Sequence, residues 1–158
     1  MAGWLWLAIV LLVRVVEPGT PTASCGEPSR APVASAALRP ADVVLAIDSP
    51  RAGETVSASD GKLTVNVEYW GPRLVAPEPG LAVDEYHLTF FLDSDPTPYI
   101  GTLTPMPRCD ARIVASASPQ VTFPNVSSGS HSLAVVLAGS NRVSVNPPVA
   151  TRVTFMVK

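Results

Sequence analysis

The chain has 158 residues, which is enough for one domain and an export segment but not for two full domains. Its net charge is −2 and its 11 Lys and Arg residues form no run, so neither nucleic acid nor an anionic membrane surface is expected as a partner. Charged residues make up 15% of the chain against a norm of roughly 25%, and 17 scattered prolines argue against long helices.

The N-terminal segment predicts export. Residues 2–13 are unbroken apolar sequence, shorter than the ~20 residues of a membrane-spanning helix but typical of the apolar core of a signal peptide. No Lys or Arg precedes this core, which leaves a short uncleaved anchor as the alternative. We expect residues 1–24 to be a signal peptide or short membrane anchor. The protein is then periplasmic, on the cell surface or secreted, and meets a membrane only through this anchor or a lipid.

The two cysteines allow three interpretations. Thr22–Ala23–Ser24–Cys25 is similar to a bacterial lipobox, although Thr22 stands where such a motif usually has Leu. We rank lipidation of Cys25 first, a disulfide between Cys25 and Cys109 second, and two free thiols third. Residues 25–40 have no apolar periodicity and contain several prolines, so they predict a disordered tether.

Residues 41–158 predict an immunoglobulin-like antiparallel β-sandwich of about seven strands. Short apolar runs alternate with turn residues, and the clearest period of two runs through Leu63, Val65 and Val67. The predicted strands are 43–47, 62–69, 85–93, 112–115, 120–123, 131–138 and 149–157. Residues 70–84 predict a long loop, and four prolines between residues 96 and 107 mark a second loop-rich region that includes Cys109.

Several stretches of the sequence are similar to small bacterial exported sandwich domains. Residues 48–56 resemble the first turn of extracellular immunoglobulin-like modules. The segments 87–93, 129–133 and 137–142, followed by Pro147–Pro148, resemble the DUF4399-like group, whose function is unassigned. The resemblance implies a sandwich over roughly residues 47–157. That group has a histidine where this chain has Arg142, so any histidine pair at that end of the sandwich is incomplete here.

The two histidines are predicted to lie far apart. The strands that contain them, 85–93 and 131–138, are antiparallel neighbours in a sandwich, and each histidine is near the start of its strand. Seven residues at ~3.3 Å each separate them by about 20 Å. His131 is in phase with the inward Leu133 and should bond to backbone at the strand entrance. A shared metal site is therefore not expected, and Asp93–Ser94–Asp95 predicts a turn instead of a calcium site.

Two surfaces are candidates for binding. His87 should approach Asn141 and Arg142, where the three could form a small polar ligand site. The alternative, which we rank higher, is a solvated strand end that binds nothing. The second candidate is a partner face made by the outward apolar residues of three neighbouring strands, and we call it the predicted partner face: Phe91, Val136 and Met156. The alternative is that the tether or a long loop covers this face.

No catalytic motif is present in the sequence. It has no Gly-x-Ser-x-Gly elbow, paired-carboxylate arrangement or glycine-rich phosphate loop. We predict a non-catalytic binding module without a cofactor or metal, using an unidentified protein or cell-surface partner. The alternative is a metal- or small-ligand-handling protein that uses the end formed by His87 and Arg142. The sequence does not indicate an oligomeric state.

Overall fold

The computed structural model describes residues 42–77 and 85–158, so the predicted export segment at 1–24 and tether at 25–40 lie outside the described residues. Within those ranges no helix is long and apolar enough to cross a membrane. The described strands are β1 (Val44–Ser49), β2 (Thr55–Val56), β3 (Leu63–Trp70), β4 (Tyr86–Leu92), β5 (Ile113–Ser116), β6 (Gln120–Phe123), β7 (Gly129–Gly139) and β8 (Ala150–Val157).

The strands form the two sheets of an immunoglobulin-like sandwich, as predicted. The smaller sheet has the order β1–β3–β6 and the larger has the order β2–β8–β7–β4–β5. Each described strand pair is antiparallel except β2 with β8, which is parallel. Seven strands match the predicted runs. β2 is additional, because its two residues become a strand only by pairing with Met156 and Val157 at the far end of the chain.

The main core lies between the two sheets. Side chains that alternate along β3 face those that alternate along β4 and β7, which is the consequence of a period of two in a sheet with one buried face. Leu88, Phe90, Leu133 and Val135 are completely buried there, and Phe155 of β8 is 2% exposed. The alternating run of Leu63, Val65 and Val67 and the inward position predicted for Leu133 are therefore confirmed.

A second apolar cluster lies on the opposite face of the larger sheet. Residues 93–112, which we call the crossing segment, lie over the outer face of β4 and β7. Met106 of this segment is buried among the outward residues of the sheet, and Tyr99 and Ile100 are partly buried beside it. The ring of Tyr99 stacks on that of Phe91 with centroids 5.9 Å apart. All seven residues of β4 are consequently buried, not only every second one.

The predicted partner face is not an exposed strip. Phe91 and Val136 are both 0% exposed, whereas Met156 is 45% exposed. The expectation that these three residues share a solvent-facing surface is wrong, because the crossing segment covers the first two. A loop covering this face was the alternative, and the apolar residues Met106, Tyr99 and Ile100 within the loop are the sequence signal for it.

Candidate functional site

His87 lies on the outer face of β4 beneath the crossing segment. Its cross-strand neighbour on β7 is Ala138. The side chain is 0% exposed, and neither Nδ1 nor Nε2 has a hydrogen-bond partner. Thr89, two residues further along the same face, is also completely buried, and its Oγ1 has no partner either. Such atoms are rare in folded proteins, since burying a polar group without a hydrogen bond is costly.

Arg142 lies next to this pair in the turn that follows β7. The Gly139 amide donates to the Val143 carbonyl at 3.0 Å, and the Arg142 amide donates to the Gly139 carbonyl at 2.8 Å. This tight turn places Arg142 at a φ of 62°, in the left-handed region that is unfavourable for a residue with a side chain. The side chain of Arg142 is directed under the crossing segment and is 6% exposed.

Arg142 holds the crossing segment against the sheet through backbone carbonyls. Its Nε donates to the Met106 carbonyl at 2.9 Å, and Nη2 donates to the Pro107 carbonyl. The Met106 amide donates in return to the Arg142 carbonyl at 2.9 Å. Among the described residues no carboxylate forms an ion pair with Arg142. The guanidinium is therefore bonded to neutral acceptors, and its charge has no counter-charge there.

The environment of His87 keeps its ring neutral at neutral pH. The pKa of His87 is lowered from 6.5 to about 4, mainly by burial and also by the positive charges of Arg142 and Arg108. The pKa of Arg142 is lowered to about 10, again mainly by burial and also by Arg108. We call His87, Thr89 and Arg142 the polar cluster; it combines three unpartnered polar atoms with an unneutralised cation.

The structure therefore brings His87 and Arg142 together, as predicted, but it does so in a different environment. Asn141 lies in the same turn, where its Oδ1 accepts from the Val143 amide at 3.1 Å. The expectation of a solvated strand end is wrong, because the crossing segment buries His87 and Arg142. Thr89 was not predicted as part of this site, although it stands two residues after His87 on the same strand face, which is a signal that could have indicated it.

Replacing Arg142 tests how much its side chain stabilises the crossing segment. We expect Arg142→Ala to lower the free energy of unfolding by about 2 kcal/mol, since the carbonyls of Met106 and Pro107 lose their donor. Arg142→Gly should lose less, by about 1 kcal/mol, since glycine accepts the positive φ. Urea denaturation and amide hydrogen exchange at Met106 measure both effects. An alanine variant as stable as the wild type, with unchanged amide exchange at Met106, would show that the Arg142 side chain contributes nothing.

The second histidine, His131, belongs to a separate polar group at the opposite end of β4 and β7. Its Nδ1 lies 2.7 Å from Oδ2 of Asp93, and its Nε2 lies 2.9 Å from the Ser127 carbonyl oxygen. The predicted bond to backbone is confirmed. Both partners are hydrogen-bond acceptors, so each bond requires a proton on the ring nitrogen that makes it. The other carboxylate oxygen of Asp93 accepts from the Ser132 amide at 2.8 Å.

This arrangement differs from a Ser–His–Asp triad in one decisive respect. In a triad, the histidine nitrogen distal to the carboxylate accepts a proton from a hydroxyl. Nε2 of His131 faces a carbonyl, which has no proton to give.

Asp95 accepts from the amide and hydroxyl of Thr97 at 3.1 and 2.6 Å, which confirms the predicted turn. Across residues 42–77 and 85–158, no group of three His, Cys, Asp or Glu side chains could hold a metal.

We expect His131→Phe to lower the free energy of unfolding by about 2 kcal/mol. The phenyl ring can keep the stacking on Phe155, whose ring centroid is 5.8 Å from that of His131. It cannot bond to Asp93 or to the Ser127 carbonyl, so the loss reports those two bonds. Chemical denaturation measures the change, with Ser130→Ala on the exposed neighbouring residue as the control. Equal stability of both variants would contradict a structural role for His131.

Cys109, in the crossing segment, is disulfide-bonded, and the described residues contain no free cysteine. The interpretation with two free thiols is therefore wrong. Cys25, the lipidation candidate, is the chain's only other cysteine and lies outside the described residues.

The fold and the polar cluster define the class of protein as an immunoglobulin-like β-sandwich with a buried polar site beneath one crossing loop. No protein-family model matches the chain, and no curated protein matches it either. Among solved structures, the chain is similar to fibronectin(III)-like modules of Clostridium thermocellum CbhA, with a TM-score of 0.38 and 16% identity. That match covers 73% of this chain and 46% of the other, so the chain spans less than half of its length.

Proposed function

We propose that this protein is a non-catalytic, exported β-sandwich module that binds a small polar ligand in the polar cluster. The observation that carries the proposal is the burial of both ring nitrogens of His87 and the hydroxyl of Thr89 without a partner. Buried polar atoms are normally hydrogen-bonded, and a site that departs from this rule does so at a cost in stability. A bound ligand supplies the missing partners. Binding through the predicted partner face has lost its basis, since two of its three residues are buried.

A thermal denaturation panel tests the site. The purified full chain is melted in sodium gluconate with chloride or nitrate, zinc or copper gluconate, or acetamide added at matched ionic strength. We expect at least one solute to raise Tm in the wild type and not in a double variant, His87→Leu with Thr89→Val. Without any added solute the double variant should be at least as stable as the wild type, because it buries no unpartnered polar atom there. Thr122→Val, on the exposed face of the smaller sheet, is the matched control.

If no solute raises the Tm of the wild type more than that of the double variant, ligand binding at the polar cluster is refuted. So would a double variant that is strongly destabilised without solute, because the polar atoms would then be serving the fold itself. The control variant should respond to each solute as the wild type does. It reports any general effect of the solute on β-sheet stability.

Export is supported by the cysteine chemistry as well as by the apolar N-terminus. Cys109 is disulfide-bonded, and disulfides persist in oxidising compartments outside the cytosol. With only two cysteines in the chain, we propose Cys25 as the partner of Cys109, which moves lipidation of Cys25 from first place to second. Such a bond joins the segment after the signal to the loop that covers the polar cluster. Both modifications use the same sulfur atom, so they exclude one another.

Mass spectrometry of the natural protein distinguishes these two fates of Cys25. Non-reducing peptide mapping should yield one linked peptide pair that contains Cys25 and Cys109. A diacylglyceryl group on Cys25 would overturn the disulfide and establish a lipid anchor. The first residue found would also locate the cleavage site, which the predicted signal peptide of residues 1–24 places after Ser24.

A further inference from the structure

The polar cluster has the electrostatic character of an anion site. Arg142 is buried, and in the described part of the chain no acidic residue pairs with it. A buried charge without a counter-charge is unfavourable, so the site as described lacks a negative charge. The two charged groups that act on His87 are both arginines, Arg142 and Arg108. Among residues 42–77 and 85–158, the charge that acts on the cluster is therefore positive.

The hydrogen-bonding groups of the cluster can donate to an anion. Thr89 has a free hydroxyl, and neutral His87 has one ring N–H without an acceptor. Arg142 has five N–H groups, of which those on Nε and Nη2 reach carbonyls of the crossing segment. The cross-strand neighbour of His87 is Ala138, and Thr89 lies between Ala115 of β5 and Val136 of β7. Hydrogen-bond donors and positive charge thus lie together beneath the crossing segment.

We propose that the polar cluster binds a small monovalent inorganic anion of the size of chloride or nitrate. The inference rests on the proposed function and names its ligand class. A metal cation would find one histidine ligand and two arginine charges that repel it. A water molecule could bond to His87 and Thr89 but would leave the charge of Arg142 uncompensated. A multiply charged anion would lose more hydration free energy on entering a site whose polar atoms have no solvent contact. The complete burial of His87 and Thr89 restricts the anion to a small one.

The test compares anions of equal charge and different size. The full chain is melted in sodium chloride, sodium nitrate and sodium gluconate at equal ionic strength. Gluconate serves as the monovalent anion too large to be enclosed. We expect Tm to rise with chloride or nitrate concentration and to saturate, and the chloride-35 NMR line to broaden as chloride exchanges with the protein. Equal melting in all three salts, with no line broadening, would overturn the proposal.

Variants locate the effect in the cluster. Thr89→Val should weaken the anion affinity about tenfold by removing one donor to a charged ligand, while Thr122→Val should leave it unchanged. Arg142→Gln should abolish the saturable dependence on the anion. Should that variant fail to fold, Thr89→Val with the line-broadening measurement still decides the matter. An anion effect of the same size in Thr89→Val and in the wild type would place the binding elsewhere and refute the site.

The outcomes separate this inference from the proposed function. Zinc, copper or acetamide could raise the Tm of the wild type but not that of Thr89→Val, while the anions raise neither Tm. In that case the polar cluster binds a ligand but not an anion. The anion inference then fails and the proposed function stands. If no solute acts through the cluster, both fail.

Discussion

Phe91→Ala is expected to lower the free energy of unfolding by about 4 kcal/mol, as is usual when a fully buried phenylalanine is truncated. Phe91 is 0% exposed, and Ile113 and Met106 pack in the same cluster. The substitution leaves a void under the crossing segment and removes the stacking partner of Tyr99. Urea denaturation monitored by circular dichroism measures the loss. We expect Phe91→Glu to prevent folding altogether, because the carboxylate would be buried without a partner.

Two apolar residues outside the apolar cluster around Phe91 provide the controls. Met156, the third residue of the predicted partner face, is 45% exposed, and Trp70 of the smaller sheet is 69% exposed. Alanine at either position should lower the free energy of unfolding by less than about 1 kcal/mol, because these side chains bury little apolar surface. If Phe91→Glu folded as stably as the wild type, Phe91 would be solvent-exposed and the crossing segment would not cover it. The predicted partner face would then be restored.

The second large effect is a loss of stability on acidification that comes from His87. Its pKa is about 4 in the folded chain and 6.5 ordinarily, so between these values the unfolded chain binds a proton that the folded chain does not. The contribution of this group is therefore fully present above pH 6.5 and is lost as the pH falls towards about 4. The free energy of unfolding that is lost across this pH window through His87 amounts to about 3 kcal/mol. Below that window His87 has no further effect.

The measurement compares the wild type with His87→Leu in gluconate buffer, from about pH 7 to about pH 4. Other titrating groups act equally in both proteins, so the difference between the two curves reports His87. We expect the wild type to lose about 3 kcal/mol more than the variant across this window. Parallel curves would show that His87 is solvated in the folded chain. Repeating the series in chloride should reduce the difference, because a bound anion favours the protonated ring.

The neighbourhood of His87 could be predicted only in part from the sequence. The register of β4 against β7 follows from two alternating apolar runs, and it correctly placed His87 beside the turn that contains Arg142. The same register correctly placed His131 at the far end of the strands. The burial of the polar cluster did not follow, since an outward position on a strand is exposed unless something covers it. What covers it is a loop, whose conformation has no periodic pattern in the sequence.

The sequence alone determined the class of fold and the inner faces of its strands. A period of two with one apolar face leaves few arrangements other than a sandwich, because each face must be buried against another. It also placed the two histidines at opposite ends of neighbouring strands. Only the tertiary structure decided that the crossing segment packs on the outer face of the larger sheet. That packing converted an apparent partner face into a second core and turned an apparent solvated strand end into a buried site. The physical reason is that both outcomes depend on contacts between residues far apart in the chain, such as Met106 with Phe91 and Arg142.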